Sequence, residues 1–274
     1  MPRTRTYGLD VDTIAYAARV KAGSGVTILP EPLKQLNKFI VGIKKLGLWN
    51  SMVCWPMRSI HNAGRGSTVY ALGGLGIYNG TMINSVSWGY NGSTFGASSY
   101  IDVPNTAVIT SGSGSFSVGV ISRSSNSNTS DDTGRFLISK ADIFNLSTNQ
   151  FQLMARNTSG YGGLLFRLWA DTIFTPSQTT ILWNNTFKVI QAEATSGGPY
   201  RLKSSGIIAG ISSHTNTYNL QTTPNIRIGG NSYTSATSWD GEIGFAFYSR
   251  SIGNMAIIET LLKQTIGAGL NIPY

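Results

Sequence analysis

Few side chains in this chain of 274 residues could make or break bonds. There are two histidines, His61 and His214, one cysteine, Cys54, and four glutamates, Glu31, Glu193, Glu242 and Glu259. Both histidines stand in loop-like contexts, and neither has beside it the local signature of a Ser-His-Asp or Cys-His arrangement. A histidine so placed reads as a surface residue. Glycoside hydrolysis needs two carboxylates across one scissile bond, yet no two glutamates are close in sequence and the pattern Glu-x-Asp-x-x-Glu is absent. The pair Asp131-Asp132 could offer oxygen ligands to calcium, although adjacent acids in a Ser/Asn-rich loop read first as solvated side chains. Gly64-Arg65-Gly66-Ser67-Thr68 only imitates a phosphate loop, because no helical pattern follows it. Cys54, between Val53 and Trp55, reads as a small buried apolar group. Alone, it permits neither an intrachain disulfide nor a Cys-based zinc site. No catalytic residue, cofactor or metal ligand is therefore expected, and the chain reads as a binding or structural protein.

The elements that would carry a binding surface follow from composition. Gly, Ser, Thr and Asn fill 111 positions, and these residues favour turns and extended backbone over helix interiors. The 6 Trp, 12 Tyr and 11 Phe supply enough apolar area for a core, which argues against disorder. Only 12% of residues are charged, about half the usual share. No apolar run is long enough to predict a transmembrane helix. The start of the sequence lacks the apolar stretch of a signal peptide. With a single cysteine, this predicts folding in a reducing compartment.

Charge is uneven along the chain. Residues 1–68 hold ten Lys/Arg and three acids, a net +7, of the total +9. Asp10 can cap a helix over 11–22, stopped by Gly23 and Gly25. After Pro30-Glu31-Pro32, the apolar residues Leu33, Leu36, Phe39, Ile40 and Ile43 recur at helical spacing. Lys34, Lys38, Lys44 and Lys45 fall mostly on the other face, and Gly47 is the stop. The stretch from Leu48 to Met57 is dense in large apolar groups and leads into a buried first strand. Glycines between Gly64 and Gly80 read as a loop joining two parts, which sets the expected organisation: 1–68 a basic, partly helical anchoring segment, 69–274 a β-sandwich domain.

Beyond that loop the chain reads as short strands divided by turn residues. They are expected over 85–88, 99–103, 115–123, 135–140, 150–155, 166–169, 187–193, 206–211, 225–229 and 242–249. In the third, Phe116, Val118, Val120 and Ser122 share one face, with Ser117, Gly119 and Ile121 on the other. Regular short strands without intervening helices predict an antiparallel sandwich. Asn254 can cap a closing helix over 255–266.

Two stretches carry a family likeness. Trp88-Gly89-Tyr90-Asn91-Gly92-Ser93-Thr94-Phe95-Gly96, Ser99-Tyr100-Ile101-Asp102-Val103-Pro104 and Gly114-Ser115-Phe116-Ser117-Val118 together resemble the opening of a concanavalin A-like, laminin-G-like jelly roll. Ile226-Arg227-Ile228-Gly229-Gly230 and the run from Trp239 to Ile252 resemble its closing strands. The lead-in, with Phe39-Ile40-Val41-Gly42, Lys44 and Gly47-Leu48-Trp49, is similar to the helical lead-in of tailed-bacteriophage virion proteins that carry this jelly roll. The resemblance implies a mainly β protein with short N-terminal helices and a C-terminal helix. It implies a structural part of a phage particle, exposed on the virion's outer surface after synthesis in the bacterial cytoplasm.

Two functions follow as expectations. The first is a capsid decoration or cement protein, likewise non-enzymatic, held to the major capsid protein or to neck or tail proteins through residues 1–68 and repeated as a homo-oligomer in the particle. Its contact residues would be Arg3, Arg5, Lys44, Lys45, Trp49 and Trp55, because the apolar groups Trp49, Met52, Trp55 and Met57 exceed what a short helix pair can hide. The second is a tail or neck fibre adhesin that binds host polysaccharide, with Tyr161, Tyr200, Tyr218 and Tyr233 as loop aromatics able to stack on sugars. No recognised motif supports nucleic-acid binding, and no membrane contact is expected.

Overall fold

The computed structural model describes residues 8–96, 98–105, 114–124, 135–140, 150–158, 161–169, 172–174, 185–212, 225–230 and 238–273. Among them, two antiparallel sheets pack face to face and three helices cover one of the sheets. The helices are α1 (Val11–Ser24), α2 (Pro30–Lys45) and α3 (Met255–Gln264). No other α-helix occurs among the described residues, so the expected confinement of helices to the two ends of the chain holds.

The first sheet contains β1 (Met52–Pro56), β4 (Ser93–Phe95), β6 (Phe116–Arg123), β11 (Lys188–Ala194), β12 (Tyr200–Ser204), β13 (Ile207–Ser212) and β15 (Gly241–Ser249). Its order is β1-β15-β6-β11-β12-β13, with β4 paired to the start of β15. The second sheet contains β2 (Thr68–Val69), β3 (Gly80–Ile83), β5 (Tyr100–Val103), β7 (Arg135–Lys140), β8 (Gln150–Thr158), β9 (Tyr161–Trp169), β10 (Thr172–Phe174) and β14 (Ile226–Ile228). Its order is β10-β9-β8-β7-β14-β5-β3-β2. Every pairing between these strands is antiparallel among the described residues, and strands distant in sequence lie side by side. The fold is the mainly β, concanavalin A-like jelly-roll sandwich expected from the sequence.

Alternation decides which core each side chain enters. Phe116, Val118 and Val120 of β6 point between the sheets, where they meet Val53 and Trp55 of β1, Ala246 and Tyr248 of β15, and Phe151 and Phe166 of the second sheet. Ile121 points the other way. It joins Met52, Cys54, Val189, Phe245 and Phe247 in a second core roofed by Phe39, Ile40 and Ile43 of α2 and Ile258 and Leu262 of α3. Phe39 meets Phe245 edge to face, with centroids 5.2 Å apart. Gly119 lies opposite Phe247, and a Cβ there would come within 2.4 Å of that ring, so glycine lets the phenyl ring lie across β6. The face assignment for β6 is thus correct, and both of its faces are buried.

Several expectations need correction. Residues 1–68 are not an appendage: β1 pairs with β15 along its whole length, and α1 and α2 cover the first sheet. A chain starting near Gly74 would lose a strand and uncover Phe245 and Phe247. The stretch 64–80 is also more than a loop, since β2 pairs with β3 and Cys54 forms a bridge with Leu72. The expected strand at 85–88 is reduced to the single bridge of Ser87 with Thr94. Asn84 there adopts a left-handed conformation (φ 59°), and Trp88 Nε1 donates to the Gly66 carbonyl. Strands β2, β3, β4, β10 and β12 are not expected from the sequence; all have five residues or fewer.

Candidate functional site

The lead-in builds a cleft where the ends of α1 and α2 meet the start of β1. Asp10 caps α1, its side chain accepting from the Asp12 amide at 2.9 Å. Its own amide donates to Asn37 Oδ1 on α2 at 2.6 Å. Gly47 takes a left-handed conformation (φ 70°), and Leu48 N donates back to the Ile43 carbonyl. This closes α2 and turns the chain into a short 3-10 turn, Trp49–Ser51, that feeds β1. Lys44, in the last turn of α2, lies 2.6 Å from both Asp10 Oδ1 and Asp12 Oδ2. Its Nζ is 5.6 Å from the Trp49 ring centroid. Each charge also suits its helix end, acids at the start of α1 and a cation at the end of α2. Burial opposes ionisation of Asp10, but hydrogen bonds from Lys44 and the Asp12 amide outweigh it and hold the carboxyl below its usual range. The same carboxylates raise Lys44 against the effect of its burial. Beside this cluster opens a cleft of about 430 Å³, lined by Asp12, Lys44, Gly47, Trp49, Asn50 and Gly74.

Of the expected contact residues that are described, the fold brings together Lys44 and Trp49. Lys44 is held by two carboxylates of its own chain, so its charge is not free for a partner. Lys45 is exposed on the same helical turn. Trp55 is not a contact residue: it is fully buried between the sheets, and its Nε1 donates to the Tyr78 carbonyl at 2.8 Å. Met52 and Met57 are likewise interior, and Trp49 is 7% exposed. Arg3 and Arg5 lie outside the described residues. Among the tyrosines proposed to stack on sugars, Tyr200 begins β12 and is buried beside Phe166, with centroids 6.4 Å apart. Tyr161 begins β9, while Tyr218 and Tyr233 lie outside the described residues. Asp12, Asn50 and Gly74 were missed as site residues. Asp12 could be read as a first-turn acid of α1, but no spacing in the sequence links it to Lys44, 32 positions away.

Of the residues weighed for catalysis, His61, Glu193, Glu242 and Glu259 are engaged in the fold. His61 is not a surface group; it is fully buried, with Nε2 2.7 Å from Gln35 Oε1 of α2. Burial, and then the nearby Arg58 charge, push its pKa down to about 3, and no solvent or substrate reaches it. Glu193 pairs with Arg201 at 3.0 Å and Glu242 with Arg123 at 2.5 Å. Glu259 sits between Lys203 and Lys263 at 2.8 and 2.6 Å. Carboxylates tied to cations in this way are not a pair poised across a glycosidic bond. Among the described residues, no group of three or more His, Cys, Asp or Glu is placed to hold a metal. His214, Asp131 and Asp132 lie outside them.

No family profile matches the sequence, and no curated protein matches it. Solved structures do share the fold. A structure of botulinum neurotoxin type C, described through its dependence on two ganglioside molecules for cell entry, matches at a TM-score of 0.55 and 12% identity, over 79% of this chain and 52% of that one. The botulinum neurotoxin serotype D binding domain matches at 0.50 and 12%, over 80% and 52%. Domain 4 of AbnA, an extracellular arabinanase of Geobacillus stearothermophilus solved with arabinotriose, matches at 0.47 and 11%, over 77% and 87%. This chain spans about half the length of the neurotoxin chains it resembles. At such identities the likeness is one of architecture. Of the three, the serotype D structure is described as a binding domain.

Proposed function

We propose that this chain is a non-enzymatic structural protein of a bacteriophage particle whose jelly roll binds glycan, as a tail or neck adhesin on the outer surface of the virion. The observation that carries the adhesin reading over the cement reading is where the apolar lead-in goes. Phe39, Met52, Trp55 and Met57 are at most 1% exposed, buried against the protein's own sheets. The hydrophobic burial that would have fastened a capsid partner, at roughly 25 cal/mol per Å², is thus already used inside the fold. Glycan as the ligand is supported by the shared architecture with a neurotoxin described through its ganglioside dependence. It is supported also by a polar, partly aromatic cleft at the molecular surface. The phage setting rests on the sequence resemblance. Screening the full chain on a glycan array, with antibody labelling of intact particles in the electron microscope, tests both parts. Saturable glycan binding and label on tail or neck are expected; no binding to any glycan, or label confined to the capsid shell, would overturn the adhesin reading.

A second reading, capsid decoration, is favoured by one observation. Val11 and Ile14 on α1 are 72% and 41% exposed, and Leu29 just before α2 is 67% exposed. Exposed Lys21 lies on the same helix. If this surface docks onto an acidic virion protein, changing Val11, Ile14 and Leu29 together to Ser should leave the fold intact and abolish incorporation into particles. Unchanged occupancy would remove the reading.

A further inference from the structure

We propose that the cleft between α1, α2 and the 3-10 turn before β1 binds one ring of a neutral saccharide. The inference rests on the glycan-binding reading above and adds to it a place and a ligand class. Its volume, about 430 Å³, lies within the range of small-ligand sites. The lining offers hydrogen bonds in both senses. Asp12 accepts with the lone pairs Lys44 leaves open, Lys44 keeps a third N–H beyond the two spent on Asp10 and Asp12, and the exposed Asn50 amide both donates and accepts. Sugar hydroxyls also donate and accept, so a single ring can answer all three groups, while the indole of Trp49 supplies an apolar edge for its C–H groups.

Charge narrows the ligand further. Asp10, Asp12 and Lys44 sum to one net negative charge, which disfavours a carboxylate or phosphate ligand. The position between the two carboxylates is already filled by the Lys44 ammonium, 2.6 Å from each, so a metal ion or amine finds no place there. A neutral polyhydroxylated ring is the class that remains. The site is also rigid, since each lining side chain stands on a helix end or on the turn fixed by Gly47. Gly74 closes the wall: a Cβ there would stand 2.7 Å from Trp49 Cδ1 and 2.8 Å from Asn50 Oδ1.

The test is a nitrogen-15 NMR titration of the full chain with D-glucose, D-galactose, D-mannose and N-acetyl-D-glucosamine at millimolar concentrations, and with 3′-sialyllactose as the acidic probe. At least one neutral sugar should move the Trp49 indole N–H and the Asn50 side-chain amide. Asn50→Ala and Asp12→Asn should each weaken that binding roughly tenfold or more, a cost of about 1.4 kcal/mol. Asn50→Ala, at an exposed position, should keep the wild-type melting temperature, and Tyr90→Ala, at an exposed position between β3 and β4, should bind as wild type. Sugar binding that survives both cleft variants, or that is lost in Tyr90→Ala instead, would overturn the site and leave the glycan reading standing. Tighter binding of sialyllactose than of every neutral sugar would overturn the ligand class. No response to any of the five would overturn the inference, and the glycan array would then decide the broader reading separately.

Discussion

The two sheets are built from similar residues but live in different surroundings. In the first sheet, β1 is buried at all five positions and β15 at its last seven. In the second, β5 alternates intermediate and buried, and the central residue of β14 is partly exposed between two buried ones. The reason is the helical layer. The first sheet has a protein core on each side, whereas the β3, β5 and β14 part of the second keeps one face toward water. A sheet covered on both faces reads as a near-continuous apolar run, and one covered on a single face reads as alternation. In β1 and β15 the apolar run goes with the helical third layer, whereas β7 of the second sheet is buried at five of its six positions without a helix over it among the described residues.

The comparison can be broken most forcefully at the helical roof. Phe39→Ala should cost about 3–5 kcal/mol in chemical denaturation, the range for a buried phenylalanine. A loss below about 1 kcal/mol would mean that the helices are dispensable and the two sheets are alike after all. Of comparable size is Glu259→Gln on α3. It leaves the Lys203 and Lys263 ammonium groups, 8% and 5% exposed, without their carboxylate. Breaking a buried ion pair in this way costs about 3–5 kcal/mol.

The same glutamate gives a pH test. Burial opposes its ionisation, yet hydrogen bonds from Lys203 and Lys263 hold its pKa below the usual carboxylate range. Its stabilisation is then fully present above the unfolded-state value and is lost as pH falls through the lowered folded value. The gap in stability between wild type and Glu259→Gln should be widest near neutral pH and close in acid. A gap that stayed constant down to pH 3 would show that the carboxylate is not the stabilising group.

His61 gives a second pH test, with its effect spread over several pH units. With its folded pKa at about 3, the unfolded chain binds a proton in the window from about 6.5 down to 3 that the folded chain does not. Stability should therefore fall as pH is lowered through that window, by up to about 1.4 kcal/mol per pH unit from this group. His61→Gln should flatten the slope, and an unchanged slope would assign it to other groups. The smallest effect belongs to the open face of the second sheet. Arg227 and Asp102 are 3.4 Å apart, with side chains 22% and 26% exposed. Arg227→Ala should cost less than about 1 kcal/mol, as for other solvent-screened pairs, even with its contact to the Tyr100 ring. A loss approaching that of Phe39→Ala would show that this face too is part of a core.

The sequence by itself determined the local choices. The spacing of Leu36, Phe39, Ile40 and Ile43 set α2 and its buried face, Gly47 its end, and Asn254 the start of α3. Alternation along β6 separated Phe116, Val118 and Val120 from Gly119 and Ile121. These choices depend on neighbours within a few residues, where backbone preference and side-chain periodicity act directly. Tertiary structure alone decided what covered each face and which charges met. Trp55 and Met57 looked surplus to a helix pair because the sheet that hides them is assembled from strands up to about two hundred positions away. Lys44 looked free because Asp10 and Asp12 reach it only when α1 folds back on α2. His61 looked solvated because nothing near it in sequence foretells Gln35 beside its ring. Periodicity names the residues that share a face, and a charge count gives the sum of the charges. The partner across the contact is set by chain topology, which brings distant residues within a few ångströms, and the candidate cleft exists only as a consequence of that meeting.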